Sequence, residues 1–392
     1  LMGFGPDVAI LMSGVGTLLF FLLTRGQVPS YLGSSFAFIA PVGAATGYKI
    51  ASFMPNPNMA VALGGIIACG LLYVAIGFLI KITGHAWIEK IMPPVVTGSI
   101  VAVIGLNLAS VAVMEARGSN SSAWYMAMTV TCVAVVSVFT TGMLRRLLIL
   151  FGLMISTLLY GLFVNGLGWG VGGDSGVQLI DFSKVKEAAW FGLPHFSTPV
   201  FDTAAMLIIV PVAVILVAEN LGHLRAVQAM TGRDMDSKIG MAFMGDGFAT
   251  MLSGAMGGTG VTTYAENIGV MAVTKIYSTL AFVFAGVFAI LLGFSPKMGA
   301  LIHTIPDPVM GGISIVVFGL IAVTGAKIWV DNHVDFSQNK NLIVAAVTLI
   351  IGAGNFGLSI GDLKLGGIGV ATLSAVLLNA LFKRAPKFDL VD

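Results

Sequence analysis

Long apolar runs, separated by short polar or glycine- and proline-rich breaks, occupy almost the whole chain. The first covers residues 8–24 and is closed by Arg25-Gly26-Gln27. Runs at 60–80, 94–110, 124–141 and 147–167 follow, each near the roughly 20 residues that a membrane-crossing helix needs. In the second half they recur at 204–224, 239–255, 276–292, 308–323, 341–353 and 366–382. The longest polar insert, 168–203, carries Asp174, Asp181, Lys184, Lys186, Glu187 and Asp202. It predicts an external loop with an amphipathic turn. Residues 46–59, with Asn56 and Asn58 around Pro57, predict an exposed loop.

Two further stretches lie at membrane depth but cannot be continuous helices. One runs from Pro29 to Pro41 with a cluster of small hydroxyl residues inside; the other runs from Gly257 through Thr262-Thr263-Tyr264-Ala265-Glu266 to Gly269. Glycine and threonine are poor helix formers, so the second stretch predicts irregular backbone followed by a half-helix beginning near Tyr264. Such discontinuous segments are how secondary transporters build a mid-membrane binding site. With them the count is thirteen membrane segments.

Composition agrees with the pattern. The chain of 392 residues is 57% hydrophobic and only 10% charged, against about 25% charged in a soluble domain, so it reads as a polytopic membrane protein. The net charge of +2 comes from dispersed residues and does not mark a nucleic-acid groove. Cys69 and Cys132 lie in apolar runs and read as small buried hydrophobes, not a disulfide or metal pair.

An internal repeat is visible. Pro94-Val95, Gly98, Val101, Val103 and Gly105-Leu106 align with Pro308-Val309, Gly312, Ile315, Val317 and Gly319-Leu320, and Ser35-Phe36-Ala37 aligns with Thr263-Tyr264-Ala265. Two matches in the same order predict a duplicated architecture, with halves at 1–203 and 204–392. Alternating the segments across a membrane puts fourteen of the 20 Lys and Arg residues on one side, which the positive-inside rule makes cytoplasmic. The carboxyl end then lies inside, and the Pro94 and Pro308 helices run in opposite directions, as an inverted repeat requires. Two equal repeats of seven predict one further helix before residue 8, absent from this chain.

Ionisable groups in such a chain are expensive and suggest function. Glu219 and His223 are four residues apart and share a helix face, a plausible proton-carrying pair or a structural hydrogen bond. Glu266 is the stronger candidate, because broken backbone and carboxylate coincide there. Asp246 is a further candidate for proton handling, or holds its short helix against neighbours. Phe36 and Tyr264 occupy matching places in the two halves and either bracket a planar ligand or simply pack. His85, His195, His303 and His333 lie near loops without the spacing of a metal site. The glycines match neither a P-loop nor a dinucleotide fingerprint, so the chain reads as neither an enzyme nor an ATP-driven pump, with no cofactor. An anion exchanger or channel would want a basic residue in a broken segment, and neither segment has one.

Val28-Pro29-Ser30-Tyr31-Leu32-Gly33-Ser34-Ser35-Phe36, Ala218-Glu219-Asn220-Leu221-Gly222-His223 and Thr262–Ala272, with the Pro94 and Pro308 helices, resemble the nucleobase–cation symporter 2 family, also called nucleobase–ascorbate transporters. The resemblance runs through essentially the whole chain. It implies an all-α membrane fold of fourteen segments in two inverted repeats, divided into core and gate domains each drawn from both repeats. It places short antiparallel strands near 34–37 and 260–263. It implies that Glu219 and Glu266 bind the base, that His223 supports Glu219 and proton coupling, and that Phe36, Tyr264 and Ala265 line the pocket. By the same resemblance, Ala265 stands where a bacterial uracil-carrying member has glycine before its second glutamate. The implied activity is proton-coupled import of uracil, with thymine as a further candidate, across the bacterial inner membrane, by a protein embedded in lipid as a homodimer. A purine symporter for xanthine or urate is the alternative on the same scaffold.

Overall fold

In lipid each backbone N–H and C=O must find a partner within the protein, and a helix supplies all of them from its own segment, so long apolar runs fold as helices. The computed structural model describes residues 2–48, 55–114, 120–171, 177–360 and 363–383. The first half contains α1 (Pro6–Leu23), β1 (Leu32–Ser34), α2 (Ile39–Thr46), α3 (Met59–Thr83), α4 (Ala86–Ile91), α5 (Pro94–Met114), α6 (Asn120–Phe139), α7 (Gly142–Arg146), α8 (Leu148–Gly161) and α9 (Ser183–Glu187). The second contains α10 (Thr203–Ile209), α11 (Val212–Thr231), α12 (Ile239–Ala255), β2 (Val261–Thr263), α13 (Ala265–Thr274), α14 (Thr279–Gly293), α15 (Pro296–Ile302), α16 (Asp307–Asp331), α17 (Asn339–Ala353), β3 (Leu358–Ile360), β4 (Leu363–Leu365) and α18 (Gly367–Phe382). Among the described residues seven spans are long and apolar enough to cross a membrane, and α14 with α15 forms an eighth that bends by 87°. This is a multi-pass membrane protein.

Several boundaries differ from expectation, each for a local reason. The 204–224 run is two helices, because Pro211 opens α11 and a proline has no N–H to continue the helix before it. α11 then continues past Arg225 to Thr231, since the guanidinium there is neutralised by Glu89 and Asp236. α16 extends to Asp331 rather than 323, and its Trp329 indole donates to the Val95 carbonyl at 3.2 Å. Asn56, expected in an exposed loop, is buried; its amide donates to the Met2 carbonyl and to Thr46 Oγ1, each at 3.2 Å. Residues 49–54 of that loop lie outside the described residues, as do 172–176 of the long insert.

Packing repeats with the halves exchanged. α3 packs along α12, and α1 along α14; α17 packs on α5 and α18, while α6 packs on α16 and α8. Swapping α1 for α12, α3 for α14, α5 for α16, α6 for α17 and α8 for α18 turns each contact into another contact that is present. Helices α5 and α16, opened by the repeated prolines, pack against each other on the axis of this exchange. They do so closely, since a Cβ on Gly105 would fall 2.3 Å from the Phe318 carbonyl oxygen.

The helices separate into two bundles. One holds α1, α3, α12 and α14 around the strands; the other holds α5, α6, α8, α16, α17 and α18. α11 touches both. The strands β1 and β2 pair antiparallel, with Leu32 opposite Thr263, Gly33 opposite Thr262 and Ser34 opposite Val261. They start two residues earlier than expected in the first half. Their outer edges are satisfied symmetrically. Leu32 N donates to Thr17 Oγ1 of α1 at 2.9 Å, and Val261 N donates to Thr250 Oγ1 of α12 at 3.1 Å. Return bonds run from the Ser13 hydroxyl to the Leu32 carbonyl and from the Thr250 hydroxyl to the Val261 carbonyl at 2.8 Å.

Candidate functional site

The two strands are short because small and hydroxyl residues interrupt the apolar runs that carry them. Helix resumes with a 3₁₀ turn at Phe36–Phe38 and with α13 after Tyr264. Two half-helices therefore begin where the strands end. The N–H groups of a helix's first turn have no partner within the helix, so each start presents donors. Gly33 lets the chain pass beneath the Tyr264 ring: a Cβ there would sit 1.9 Å from two ring carbons. The Tyr264 and Phe36 rings lie 6.5 Å apart, and Phe36 meets Phe318 of α16 edge-on at 5.8 Å.

α11 crosses this junction and brings in Glu219 and His223. The Ser35 hydroxyl donates to Glu219 Oε2 at 3.4 Å while accepting from Ala37 N at 3.3 Å. His223 is buried, with the Thr263 backbone in hydrogen-bonding reach of its ring, and its Nδ1 has no hydrogen-bond partner among the described residues. Glu219, His223, Phe36 and Tyr264 line one narrow cavity of about 30 Å³ together with Ser34, Ser35, Thr262 and Thr263. Val101 of α5 and Ile321 and Thr324 of α16 close it from the other bundle. On the far side of Ser34 and Tyr264 a wider cavity of about 330 Å³ is bounded by Ser13, Tyr31 and Asn267.

Asp246 does not reach the cavity. It is buried in α12 behind β2, with the Thr263 hydroxyl 3.4 Å from both carboxylate oxygens. Thr263 thus stands between Asp246 and His223. Glu266 and Ala265 begin α13 beside the cavity; their side chains lie outside the described residues. Farther back, Asn220 donates to the Tyr73 hydroxyl at 2.9 Å, and Tyr73 stacks on Phe243 with centroids 5.1 Å apart. No group of three or more His, Cys, Asp or Glu among the described residues is placed to hold a metal.

Of the residues singled out from the sequence, the structure brings Glu219, His223, Phe36 and Tyr264 to one cavity; the hydroxyl side chains and the α5–α16 wall that complete its lining, and Tyr73 with Asn220 behind it, are not among those singled out. The hydroxyls were signalled by their cluster between Pro29 and Pro41. Val101 and Ile321 carry no local signal, being apolar residues in apolar helices.

The cavity is polar where the broken segments meet and apolar opposite, and it sits between two bundles related by the internal exchange. Residues 5–360 match the family described as "Permease family". The chain belongs to that family. Among its relatives in the Permease family is a protein of Escherichia coli (strain K12) named as a pyrimidine permease, RutG. The two are 63% identical over 384 residues, 98% of this chain and 85% of that one. The uracil permease of Bacillus caldolyticus is 40% identical over 402 residues, 99% of this chain and 88% of that one. These relatives are named as permeases, not enzymes. Solved structures share the fold at low identity. The murine Slc26a9 anion transporter in the inward-facing state aligns with a TM-score of 0.64 at 12% identity, covering 97% of this chain and 65% of that one. The transmembrane domain of the cyanobacterial bicarbonate transporter BicA aligns with a TM-score of 0.59 at 14% identity, covering 97% and 96%. The inverted-repeat transporter fold expected of this permease is thereby shown.

Proposed function

We propose that this permease imports a pyrimidine base, uracil first, together with a proton across the bacterial inner membrane, with its carboxyl end in the cytoplasm. The observation that carries the reading is the polar side of the cavity, where Glu219, the Ser35 hydroxyl and the start of a half-helix converge on one small space. A neutral pyrimidine offers ring N–H donors and carbonyl acceptors. Carboxylates take the donors, in charge-assisted bonds when ionised, and backbone N–H groups supply the carbonyls. In this reading Glu219 and Glu266 hold the N–H edge, while Phe36, Tyr264 and Ala265 form the walls. The names and identities of the relatives favour a pyrimidine over a purine.

Protonation neutralises a buried carboxylate, which can then change partners without leaving an isolated charge, whereas a buried imidazole is neutral once it has given its proton up. Glu219, His223, Glu266 and Asp246 form the coupling set, with Thr263 linking the last to the cavity, and the proton is shared across the set. The strand-bearing bundle acts as the core domain and the α5–α16 bundle as the gate, each drawn from the halves 1–203 and 204–392. The exposed apolar side chains of the outer helices face lipid.

Radiolabelled uracil uptake into proteoliposomes under an imposed inward proton gradient tests the reading. Accumulation that collapses with protonophore and is lost in Glu219→Gln and Glu266→Gln is expected. Uptake of xanthine or urate in place of uracil would overturn the substrate, and uptake indifferent to the gradient would overturn the coupling.

A further inference from the structure

The hydrogen-bonding side chains that line the cavity come almost wholly from one bundle. Ser34, Ser35, Glu219, His223, Thr262 and Thr263 all belong to the strands, the segments beside them and α11. The opposite bundle offers Val101, Ile321 and Thr324. The Thr324 hydroxyl donates to the Leu320 carbonyl of its own helix at 2.8 Å, so it brings a methyl group and no spare donor.

A uracil ring is divided in the same way. N1–H, C2=O, N3–H and C4=O follow one another around four ring positions, and C5–H and C6–H make up the remaining edge. A ring that presented an N–H or C=O to Val101 and Ile321 would bury that group without a partner, which is costly. The ring therefore turns its C5–C6 edge toward α5 and α16. We infer that Val101, Ile321 and Thr324 determine which substituents a bound pyrimidine can carry at C5. This rests on the pyrimidine reading above.

Helices α5 and α16 cannot splay apart to admit a larger group between them. Val101 lies between Gly98 and Gly105, and Ile321 between Phe318 and Gly325. These are points of closest approach between the two helices: a Cβ on Gly98 would fall 2.8 Å from the Gly325 carbonyl oxygen, and one on Gly325 would fall 2.3 Å from Ala102 N. With the two backbones fixed relative to each other in this way, side-chain volume on their shared face sets the room at C5.

Competition against radiolabelled uracil, by unlabelled uracil, thymine, 5-ethyluracil and 6-methyluracil, tests the inference in the proteoliposome system. The ratio of apparent affinity for 5-ethyluracil to that for uracil is expected to rise about tenfold in Ile321→Ala and Val101→Ala, the lower end of what one methylene is worth in an apolar pocket. Thr324→Ser, which keeps the helix hydrogen bond and removes one methyl, is expected to raise it by a smaller factor, and Ile321→Phe to lower it below the parent. The same C5 ratio in the parent, in Ile321→Ala and in the milder Thr324→Ser would overturn the inference while leaving uracil transport standing. A gain that fell on 6-methyluracil alone would overturn the orientation of the ring. A parent that binds no pyrimidine would remove the substrate reading and this inference together.

Discussion

The Ser35 hydroxyl, just after β1 in the first broken segment, donates to the Glu219 carboxylate 3.4 Å away on a helix of the second half. Through it the capping residue of one half-helix orients an acceptor carried by the other repeat. A hydrogen bond of this kind contributes about 0.5–1.5 kcal/mol net. Ser35→Ala is therefore expected to raise the KM for uracil about two- to tenfold, with Ser35→Thr retaining most of the affinity. Uptake kinetics at fixed gradient check this, and an unchanged KM in Ser35→Ala would remove Ser35 from the site.

Thr17 and Thr250 do the same work on opposite edges of the strand pair. Replacing either with valine leaves a strand N–H without its partner in a buried place, at a cost of about 1–3 kcal/mol. Thr17→Val and Thr250→Val are expected to lower the melting temperature in detergent by similar amounts, as their symmetric positions require. A large effect at one and none at the other would show that only one edge matters.

Gly33 has no room for a side chain. Gly33→Ala would drive a methyl into the Tyr264 ring, which must swing out of the wall shared by the two cavities. Near-complete loss of uracil uptake with retained membrane expression is expected, whereas Gly319→Ala, within α16 and with nothing within 4 Å of its added carbon, serves as the tolerated comparison. Scintillation proximity binding alongside uptake separates loss of binding from loss of movement.

Asp246 lies one side chain behind the cavity, bonded to Thr263. Under the coupling reading, Asp246→Asn is expected to keep uracil binding and exchange but to lose accumulation against a gradient. Loss of binding as large as that in Glu219→Gln would instead assign Asp246 to holding β2 in place.

Arg225 reaches Glu89 of α4 and Asp236 beyond its own helix, with His85 3.5 Å from Asp236. All three charged partners of the ion pairs are more than a third exposed, so solvent screens them and each pair contributes less than about 1 kcal/mol. Arg225→Gln is expected to lower the melting temperature modestly at low salt, with the difference shrinking toward zero at about 1 M salt, where the Debye length is about 3 Å.

How far the chain could be read follows from what kind of signal each feature leaves. Helices in lipid are dictated by hydropathy alone, so their order and the location of both breaks were legible, as was the exchange symmetry from the Pro94 and Pro308 alignment. Glu219 and His223 stood out because an ionisable group in an apolar run is conspicuous. Pro211 is visible in the sequence, but its break leaves no hydropathy signal because the flanking residues on both sides are apolar. Val101, Ile321 and Tyr73 were illegible for a different reason. Their importance lies in which distant segment they face, and nothing in a uniformly apolar helix marks one face from another. The registers of β1 and β2 depend on Thr17 and Thr250, two hydroxyls indistinguishable in sequence from the many that bond back within their own helices.

The pairing of Leu32 with Thr263 has a consequence for how the protein is made. A strand of the first half acquires its partner only after the helices between β1 and β2 have entered the membrane, and closing so long a loop is slow. Until then β1 is held on one edge by α1 and stands bare on the other. The first half by itself thus has an open strand edge, and the transport pathway comes into being only when the second half arrives to close it.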